Sequence, residues 1–445
     1  MSQNTHSAVS YPTNKISSSI FVPGDKSISH RAIMLASLAQ GTSYVSGLLE
    51  SEDVMATINA FKAMGVIIEK QPDNRYCIEG VGLNGLKAPQ NILDMGNAGT
   101  AMRLIAGILS AQKFNATLVG DDSLNKRPMG RIIEPLSQQG AKIEATGNGL
   151  PPLTIYGGQA IKGGYFSPKV ASAQVKSAIL LAGLWGENPT IVHEPIPTRD
   201  YTEKMLKDLG ANIEIIQDDN GGKTVKLIPG NPLVAQDIIV PGDISSAAFP
   251  LVAAAIVPGS DLTIQNVGMH PTRDGIIRSL QKMGANITLN YKNNNQIADI
   301  HIVYTPLKAT EIPGVWAASQ IDEYPALAVA AANAAGETLM TNIGELRVKE
   351  SDRLDGIAQG LKACGVTLEE GEDWLRITGT SKRIEGGAEI KTHLDHRMAM
   401  SFIIAAMNAN NPIEIDDMRP IETSFPNFVQ LMEQIGGNIV GKSEK

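Results

Sequence analysis

The sequence has few aromatic residues, almost no cysteine and no long apolar run. Phe, Trp and Tyr make up 4% of its 445 residues, and its two cysteines, Cys77 and Cys364, lie in no CxxC pair and in no spacing typical of zinc ligands. We therefore expect buried thiols in a reducing compartment rather than a disulfide framework. Apolar stretches such as FPLVAAAIV (249–257) reach about half the length that a membrane-spanning helix needs. With a polar N-terminus that lacks a signal-like segment, these absences favour a cytoplasmic protein with no membrane partner.

The charge balance argues against a protein that binds nucleic acid or membranes. Lys and Arg number 38 against 46 Asp and Glu, a formal net charge of −8, which is not typical of a protein that binds nucleic acid or anionic membranes. Small anionic ligands are not excluded, because a local cluster of Lys and Arg can dominate the potential within a cleft. A chain of 445 residues is also too long for one ordinary core, so we expect two or three domains.

A glycine that follows an amphipathic stretch recurs six times along the chain. The phrase is apolar-Gly-Ala/Val/Gly-x-apolar, although Gln139 departs from its first position. The six glycines, at intervals of 70 to 81 residues, are Gly65, Gly140, Gly210, Gly284, Gly365 and Gly436. A glycine just past the last helical turn ends many helices, so each copy predicts an amphipathic surface helix followed by a strand.

A turn followed by an apolar, small-residue helix is the second recurring element, and it lies about 40 residues before each of these glycines. The six copies are PGDKSISHRAIMLASLA, GNAGTAMRLIAGILSA, ASAQVKSAILLAGLW, PGDISSAAFPLVAAAI, IDEYPALAVAAANAA and LDHRMAMSFIIAAMNA. Helices that are apolar nearly all round are buried in folded proteins. The sequence therefore predicts six α/β repeats, each with one buried helix, one surface helix and several short strands.

The tetrapeptide VPGD occurs twice, at 22–25 and 240–243, where it opens the first and fourth repeats. Six repeats split naturally into two lobes of three, so we expect the chain to pass between lobes at these two corners. The predicted lobes are residues 24–240 and residues 1–23 together with 241–445. The strand-like SSSIFVP before the first corner is expected to pack with the second lobe.

The turns that begin the buried helices are candidate anion-binding sites, because helix N-termini present unpaired N–H groups and a partial positive charge. Their small polar and basic residues are Lys26, Ser27, Arg31, Asn97, Gly99, Thr100, Arg103, Ser172 and Gln174. The fourth turn, DISSAAF, has no basic residue. We infer that the duplicated corner is structural and that the charge of its first copy serves a ligand. For each residue alone, a solvated charge or a helix cap is the alternative.

Four further stretches concentrate charge at a loop or a helix start: NKRPMGR (125–131), IDEYP (321–325), ELRVKESDR (345–353) and HLDHR (393–397). Each has a structural alternative. The third is also typical of a salt-bridged surface helix start, the HxxH of the fourth is a weak metal-binding pattern, and the acidic pair of IDEYP contains an ordinary helix cap.

Together these motifs resemble the enolpyruvyl transferases over about residues 16–440. The motifs are PGDKSISHRA, GNAGTAMR, KRPMGR, SAQVKSA, TRDYTEKML, IDEYPALAVAAA, ELRVKESDRL, LDHRMAMSF and TSFPNF, and their wording is similar to the bacterial branch associated with glyphosate tolerance. The resemblance implies a two-lobed α/β fold, an inside-out α/β barrel of six βαβαββ-type repeats, three per lobe. It also implies an active site in the cleft between the lobes.

The same resemblance implies an enzyme that transfers the enolpyruvyl group of phosphoenolpyruvate to the 5-hydroxyl of shikimate 3-phosphate, releasing phosphate, in chorismate and aromatic amino acid biosynthesis. Asp322 and Glu350 would be the proton-transfer pair, with Lys26 assisting. The residues implied to bind shikimate 3-phosphate are Lys26, Ser27, Arg31, Ser172, Ala173, Gln174, Arg199, Asp322 and Lys349. Those implied to bind phosphoenolpyruvate are Lys26, Gly99, Arg127, Gln174, Arg353 and Arg397. The family implies no metal and no organic cofactor, and we expect a monomer.

The chain departs from the enteric branch of that family at two positions. Thr423 stands before Ser424-Phe425-Pro426 where that branch has Lys, so one phosphoenolpyruvate contact is missing or supplied elsewhere. Glu345 stands where that branch has Asn, which changes a substrate contact. By contrast, Gly99 keeps the small residue that is replaced by a glyphosate-crowding Ala in tolerant relatives, so we expect glyphosate to inhibit this protein.

Two other functions stay open at the level of sequence. The sister enzymes that use UDP-N-acetylglucosamine typically have a reactive Cys in the loop corresponding to GDDSLNKRPMG (120–130), and this loop has none. A non-catalytic protein that binds phosphorylated metabolites would need the basic turns but not the Asp322 and Glu350 pair.

Overall fold

The computed structural model describes residues 6–219, 221–293 and 295–442. Its helices are α1 (Lys26–Leu38), α2 (Glu52–Ala63), α3 (Gly99–Leu109), α4 (Gly130–Gln138), α5 (Ala173–Gly183), α6 (Tyr201–Asp208), α7 (Ile244–Ile256), α8 (Gly275–Lys282), α9 (Ala317–Gln320), α10 (Tyr324–Ala332), α11 (Arg353–Ala363), α12 (His396–Met407) and α13 (Phe428–Gln434). Short 3-10 helices lie at Leu124–Lys126, Gly314–Trp316, Gly344–Val348 and Arg419–Thr423. Within the described ranges, no helix is long and apolar enough to cross a bilayer.

The strands of the first half of the chain are β1 (Ser7–Tyr11), β2 (Ser17–Phe21), β3 (Gln40–Ser46), β4 (Ile67–Lys70), β5 (Tyr76–Val81), β6 (Leu93–Asp94), β7 (Ala116–Val119), β8 (Lys142–Thr146), β9 (Leu150–Tyr156), β10 (Gly164–Phe166), β11 (Thr190–Glu194), β12 (Asn212–Gln217), β13 (Lys223–Ile228) and β14 (Ile238–Ile239). Those of the second half are β15 (Asp261–Gly268), β16 (Asn286–Lys292), β17 (Ile297–Val303), β18 (Glu311–Ile312), β19 (Ala335–Met340), β20 (Thr367–Glu370), β21 (Leu375–Thr380), β22 (Ile384–Gly386), β23 (Glu389–Ile390), β24 (Ala409–Asn411), β25 (Ile413–Ile415) and β26 (Asn438–Lys442).

The chain folds into two units, unit 1 (Met1–Asp25 with Pro241–Lys445) and unit 2 (Lys26–Val240). Unit 2 contains the four-stranded sheets β14-β3-β5-β4, β6-β7-β9-β8 and β10-β11-β13-β12. Unit 1 contains the four-stranded sheets β16-β17-β15-β2, β18-β19-β21-β20 and β23-β25-β1-β26, and the short pair β22-β24. In all six, the first or last strand pairs in parallel with its neighbour and the other two pairings are antiparallel. This common pattern confirms the predicted sixfold repeat.

The two helix types of the repeat occur where the sequence predicted them. The six apolar helices α1, α3, α5, α7, α10 and α12 supply much of the two hydrophobic cores, one in each unit. Every residue of α7 and of α10 is buried. The amphipathic helices α2, α4, α6, α8, α11 and α13 each precede one of the recurring glycines. All six of these glycines have positive φ angles between 81° and 114°, as a residue that ends a helix requires.

The two VPGD corners pair with each other inside unit 1. The backbone N–H of Asp25 donates to the carbonyl of Pro241 at 2.8 Å, and that of Asp243 donates to Pro23 at 2.8 Å. The strand before each corner completes a sheet, because β2 pairs in parallel with β15 and β14 pairs in parallel with β3. The leading strand β2 thus packs against β15, in the C-terminal half of the chain. Both corners therefore position the first residues of the helices that follow them, α1 and α7.

Candidate functional site

The first turn of α1 places a lysine in an ion pair. Lys26, the first residue of α1, contacts the carboxylate of Asp53 on α2, and the aspartate is almost fully buried. One turn later, His30 is buried with its Nδ1 2.7 Å from the hydroxyl of Thr57. Burial, with further contributions from Lys26 and Arg31, holds the pKa of His30 well below its ordinary value. The imidazole of His30, one turn after Lys26, is therefore neutral at pH 7.

Arg31 connects α1 to α5 and α6. Its Nε donates to Thr202 Oγ1 at 2.7 Å, its Nη2 donates to Ser177 Oγ at 2.9 Å, and its Nη1 donates to the carbonyl of Ser27 at 2.9 Å. The sequence analysis grouped Arg31 with Ser27 at this turn but missed the two hydroxyl partners. Arg31 is buried, so these bonds position it firmly among the predicted ligand residues of unit 2.

Gln174 joins the first turn of α5 to that of α3. Its Oε1 accepts a hydrogen bond from Arg103 Nη1 at 2.9 Å, and its Nε2 donates to Thr100 Oγ1 at 2.8 Å. Ser172 caps α5 by accepting a hydrogen bond from the N–H of Val175 at 3.4 Å. The predicted residues Ser172, Ala173 and Gln174 thus lie at the start of one helix, and Gln174 extends to the next.

Gly99 lies directly against two guanidinium groups. A Cβ atom added at Gly99 would be 3.1 Å from Arg103 Nη1 and 3.2 Å from Arg127 Nη1. Arg127 is oriented by Asn97, whose Oδ1 accepts from Nη2, and by Ser123 Oγ at 3.2 Å. The structure therefore brings together Gly99 and Arg127, two residues predicted to contact phosphoenolpyruvate.

A buried network of four charged residues supports this part of unit 2, and the sequence analysis missed it. Lys176 Nζ lies 2.7 Å from Glu194 Oε2 and 2.7 Å from Glu203 Oε1, and Lys223 Nζ lies 3.0 Å from Glu203 Oε1. Although burial opposes it, the charges of Glu203 and Glu194 raise the pKa of Lys223. Glu194 also accepts a hydrogen bond from Thr198. The network links α5, β11, α6 and β13 and supports the loop that contains the predicted ligand Arg199.

Arg353 is the centre of a second cluster, which lies in unit 1. Its side chain is 1% exposed, with Nε 2.8 Å from Asp395 Oδ2, Nη2 2.5 Å from Glu350 Oε2 and Nη1 3.5 Å from Asp322 Oδ1. Burial alone would lower the pKa of Arg353, but the carboxylates of Asp395, Glu350 and Asp322 raise it above the ordinary arginine value. Arg353 is consequently a permanent cation that holds the two predicted proton-transfer carboxylates beside it.

Lys349 and Arg397 complete this cluster. Lys349 Nζ lies 3.9 Å from Asp322 Oδ1, and Arg397 Nη1 donates to the main-chain carbonyl of Asp322 at 3.0 Å. The side chains of Lys349, Glu350, Asp322 and Arg397 are between 12% and 26% exposed. The site residues predicted in this half of the chain thus lie together and remain accessible to a small molecule.

Asp395 is the residue of this cluster that the sequence analysis missed. It accepts from both Nε and Nη2 of Arg353, from Ser351 Oγ at 3.1 Å, and from the N–H of Arg397 at 2.9 Å, through which it caps α12. Its place in LDHR, directly before the predicted ligand Arg397, was the available signal. An aspartate before an apolar helix is ordinarily interpreted as a cap alone.

The charged stretch ELRVKESDR divides between two roles. Arg347 lies 2.9 Å from Asp352 Oδ2, and Asp352 caps α11 by accepting from the N–H of Asp355 at 3.0 Å. These are the contacts of a salt-bridged helix start. Lys349, Glu350 and Arg353 of the same stretch belong to the cluster instead. Over the described ranges, which include HLDHR, no group of three or more His, Cys, Asp or Glu side chains is placed to hold a metal ion.

A family model and the sequences of known proteins all indicate the same family. The model of the EPSP synthase (3-phosphoshikimate 1-carboxyvinyltransferase) family matches residues 10–432. A 3-phosphoshikimate 1-carboxyvinyltransferase of Ruthia magnifica subsp. Calyptogena magnifica is 51% identical, covering 96% of this chain and 97% of its own length. One of Xanthomonas campestris pv. campestris is 46% identical, covering 98% of each chain.

A solved structure gives the same result for the fold. The EPSP synthase of Acinetobacter baumannii superimposes with a TM-score of 0.86 at 46% sequence identity, covering 98% of this chain and 100% of that one. The six α/β repeats and the two charged clusters are thus found in a chain that resembles these proteins along nearly its whole length. The chain belongs to the EPSP synthase family and has the α/β fold of that family.

Proposed function

We propose that this protein transfers the enolpyruvyl group of phosphoenolpyruvate to the 5-hydroxyl of shikimate 3-phosphate and releases phosphate, the activity of a 3-phosphoshikimate 1-carboxyvinyltransferase (EC 2.5.1.19). The observation that carries the proposal is the cluster of unit 1. There, the carboxylates of Asp322 and Glu350 share the buried guanidinium of Arg353, with Lys349 and Arg397 beside them. The reaction belongs to the shikimate pathway, which leads to chorismate and the aromatic amino acids.

Phosphoenolpyruvate is an anion with a phosphate and a carboxylate, and arginine binds both groups through paired N–H donors. We assign it to Lys26, Gly99, Arg127, Gln174, Arg353 and Arg397. The position of Gly99 supports this assignment in unit 2, because a Cβ added there would lie 3.2 Å from the guanidinium of Arg127. The burial of Arg353 supports it in unit 1.

Shikimate 3-phosphate presents a phosphate, a carboxylate and hydroxyl groups. We assign it to Lys26, Ser27, Arg31, Ser172, Ala173, Gln174, Arg199, Asp322 and Lys349. The hydrogen bonds of Arg31 with Ser27, Ser177 and Thr202 support this, because they fix the basic side chain next to the cap of α5. The proximity of Lys349 to Asp322 supports a role for the lysine in holding the sugar near the acceptor base.

The chemistry is an addition followed by an elimination. The carboxyl group of Glu350 gives a proton to the methylene carbon of phosphoenolpyruvate, which leaves the adjacent carbon electron-poor. Asp322 takes the proton of the 5-hydroxyl as the sugar oxygen bonds to that carbon. In the second step the C–O bond to phosphate breaks, and the departing phosphate takes up the proton held by Asp322. A proton returns from the new methyl group to Glu350, so that the double bond re-forms. Lys26 assists by stabilising the departing phosphate. A carboxyl group between cationic neighbours can act as acid in one step and base in the next.

We also propose that the protein works in the cytoplasm as a monomer on these two small molecules. Its two cysteines, Cys77 and Cys364, are free thiols, and burial raises the pKa of Cys364 to about 12. A buried, protonated thiol is stable in a reducing compartment, which supports the cytoplasmic location.

Phosphate release from phosphoenolpyruvate tests the proposal. We expect release that depends on added shikimate 3-phosphate and that does not occur with UDP-N-acetylglucosamine. Release with the nucleotide sugar alone would instead support the sister activity. Binding of phosphoenolpyruvate without release under any condition would support a non-catalytic binding protein.

The variant Glu350→Gln separates catalysis from binding. Removing a general acid–base group costs about 100-fold or more in kcat, whereas glutamine can still accept a hydrogen bond from Arg353 and keep the site folded. The matched control is Glu369→Gln, which changes an exposed ion pair with Arg376. If Glu350→Gln has the kcat of this control, the role assigned to Glu350 is wrong.

A further inference from the structure

A buried arginine connects the two VPGD corners to the interior of unit 1. Arg273, which is 2% exposed, lies 2.9 Å from Asp243 Oδ1 and 3.7 Å from Asp25 Oδ2, so both corner aspartates share one guanidinium. Its Nη2 also donates to Ser245 Oγ at 2.8 Å, in the first turn of α7. The serine hydroxyl is therefore held on one side by a group that is itself fixed by two ion pairs.

The same hydroxyl donates a hydrogen bond to the carboxylate of Glu323. Glu323 is 1% exposed and directly follows Asp322 in the chain. Its second oxygen, Oε2, is buried and has no hydrogen-bond partner in the described part of the chain. A buried carboxylate needs a compensating charge. Arg397, whose Nη1 lies 4.0 Å from Glu323 Oε1, is the cation that supplies it.

Arg397 thus divides its guanidinium between two groups on adjacent residues. Nη1 donates to the carbonyl of Asp322 at 3.0 Å and lies near the carboxylate of Glu323. A guanidinium has five N–H donors, so Arg397 can make these two contacts and still donate to an anionic substrate. It can do so only if the two contacts do not turn the guanidinium away from the substrate. The orientation of the guanidinium therefore depends on how strongly Glu323 attracts it. The hydroxyl of Ser245 weakens that attraction, because it donates a hydrogen bond to one oxygen of the Glu323 carboxylate.

We propose that Ser245 and Glu323 are positioning residues that set the orientation of Arg397, and with it the carbonyl of Asp322, for phosphoenolpyruvate. This inference rests on the proposed function, since it takes Arg397 as a ligand of that substrate. Ser245 acts through Glu323, and Glu323 acts through Arg397. Arg273 holds Ser245 in place through its hydrogen bond to the hydroxyl. It lies at the two VPGD corners, where the polypeptide leaves unit 1 and returns to it.

The variant Ser245→Ala tests the proposal. Without the hydroxyl, the carboxylate of Glu323 keeps Arg397 as its one side-chain partner among the described residues, and it draws the guanidinium toward itself. We expect the KM for phosphoenolpyruvate to rise about three- to tenfold, the effect of losing one well-placed hydrogen bond. The KM for shikimate 3-phosphate should change less than about twofold, because unit 2 supplies most of its assigned ligands. Ser245→Thr, which keeps a hydroxyl, should restore the KM for phosphoenolpyruvate.

The double variant Ser245→Ala/Glu323→Gln distinguishes positioning from simple loss of packing. Replacing the carboxylate by an amide removes the unmatched charge, so the KM for phosphoenolpyruvate should fall back toward that of the unaltered protein. Ser260→Ala is the matched control. It removes another buried serine hydroxyl of unit 1, one that donates to the carbonyl of Val257 and accepts from the N–H of Ile16, with no contact to this cluster.

Two outcomes would overturn the inference. One is that Ser245→Ala changes only the melting temperature, as Ser260→Ala does. The other is that Ser245→Ala raises both KM values equally and the second substitution has no compensating effect. An unaltered protein that releases no phosphate with shikimate 3-phosphate would instead refute the proposed function, so the two failures are distinguishable.

Discussion

The variant Gly99→Ala gives the sharpest prediction from the geometry of unit 2. The new methyl group would lie 3.1 Å from Arg103 Nη1, 3.2 Å from Arg127 Nη1 and 3.4 Å from Leu124 Cδ1. Ordinary contacts of a methyl carbon are about 3.5–4.0 Å, so both guanidinium groups must move by a few tenths of an ångström. The backbone does not resist the change, because Gly99 is not among the glycines with positive φ and begins a helix in which alanine is favoured.

The movement would weaken specific contacts rather than the fold. Arg103 holds Gln174 at 2.9 Å, and Arg127 is assigned to phosphoenolpyruvate. Losing the geometry of one such hydrogen bond costs about 0.5–1.5 kcal/mol, which corresponds to a KM for phosphoenolpyruvate about two- to tenfold higher. The melting temperature should stay within about 2 °C of that of the unaltered protein.

Steady-state kinetics, with and without glyphosate, measure this prediction. We expect glyphosate to inhibit the unaltered protein in competition with phosphoenolpyruvate and to inhibit Gly99→Ala less. Gly130→Ala is the matched control, since Gly130 begins α4 as Gly99 begins α3 but an added Cβ meets nothing within 4 Å. An unchanged KM for phosphoenolpyruvate in Gly99→Ala, or indifference of the unaltered protein to millimolar glyphosate, would refute the reasoning.

Two further predictions concern stability. Asp395→Asn should destabilise the protein by about 3 kcal/mol, because it removes the fully buried counter-charge of Arg353. The urea midpoint measures this, and a midpoint equal to that of Glu389→Gln, which alters an exposed ion pair, would contradict it. His30 should make the free energy of unfolding depend on pH. Its pKa in the folded state lies below the ordinary value of 6.5, so the unfolded chain binds more protons than the folded one. The contribution of His30 to stability is therefore fully present above about pH 6.5 and is lost as the pH decreases. His30→Gln should flatten this part of the pH profile of the melting temperature, and an unchanged profile would show that His30 is not its source.

The sequence predicted the architecture well, because backbone signals are local. Each of the six recurring glycines marks a helix end through its own φ angle, as Gly65 and Gly436 do at 88° and 114°. The apolar run of α7 predicted complete burial for the same reason. Such features depend on a few neighbouring residues and therefore appear in a single sequence.

Side-chain partners were predicted less well, because they depend on residues far apart in the chain. The contacts of Arg31 with Ser177 and Thr202 span 146 and 171 positions. The sequence analysis did not single out Lys176, which is fully buried against Glu194 and Glu203. A buried charge is indistinguishable from a surface charge until the partner that neutralises it is known. The same holds for Asp395, which the sequence analysis did not single out.

The most direct test of the central claim is to run the reaction in D2O and analyse the enolpyruvyl product for deuterium. If a carboxyl group adds a proton to the methylene carbon and later removes one, as assigned to Glu350, the product must contain deuterium at that carbon. A product formed at full rate without deuterium there would contradict the addition and elimination.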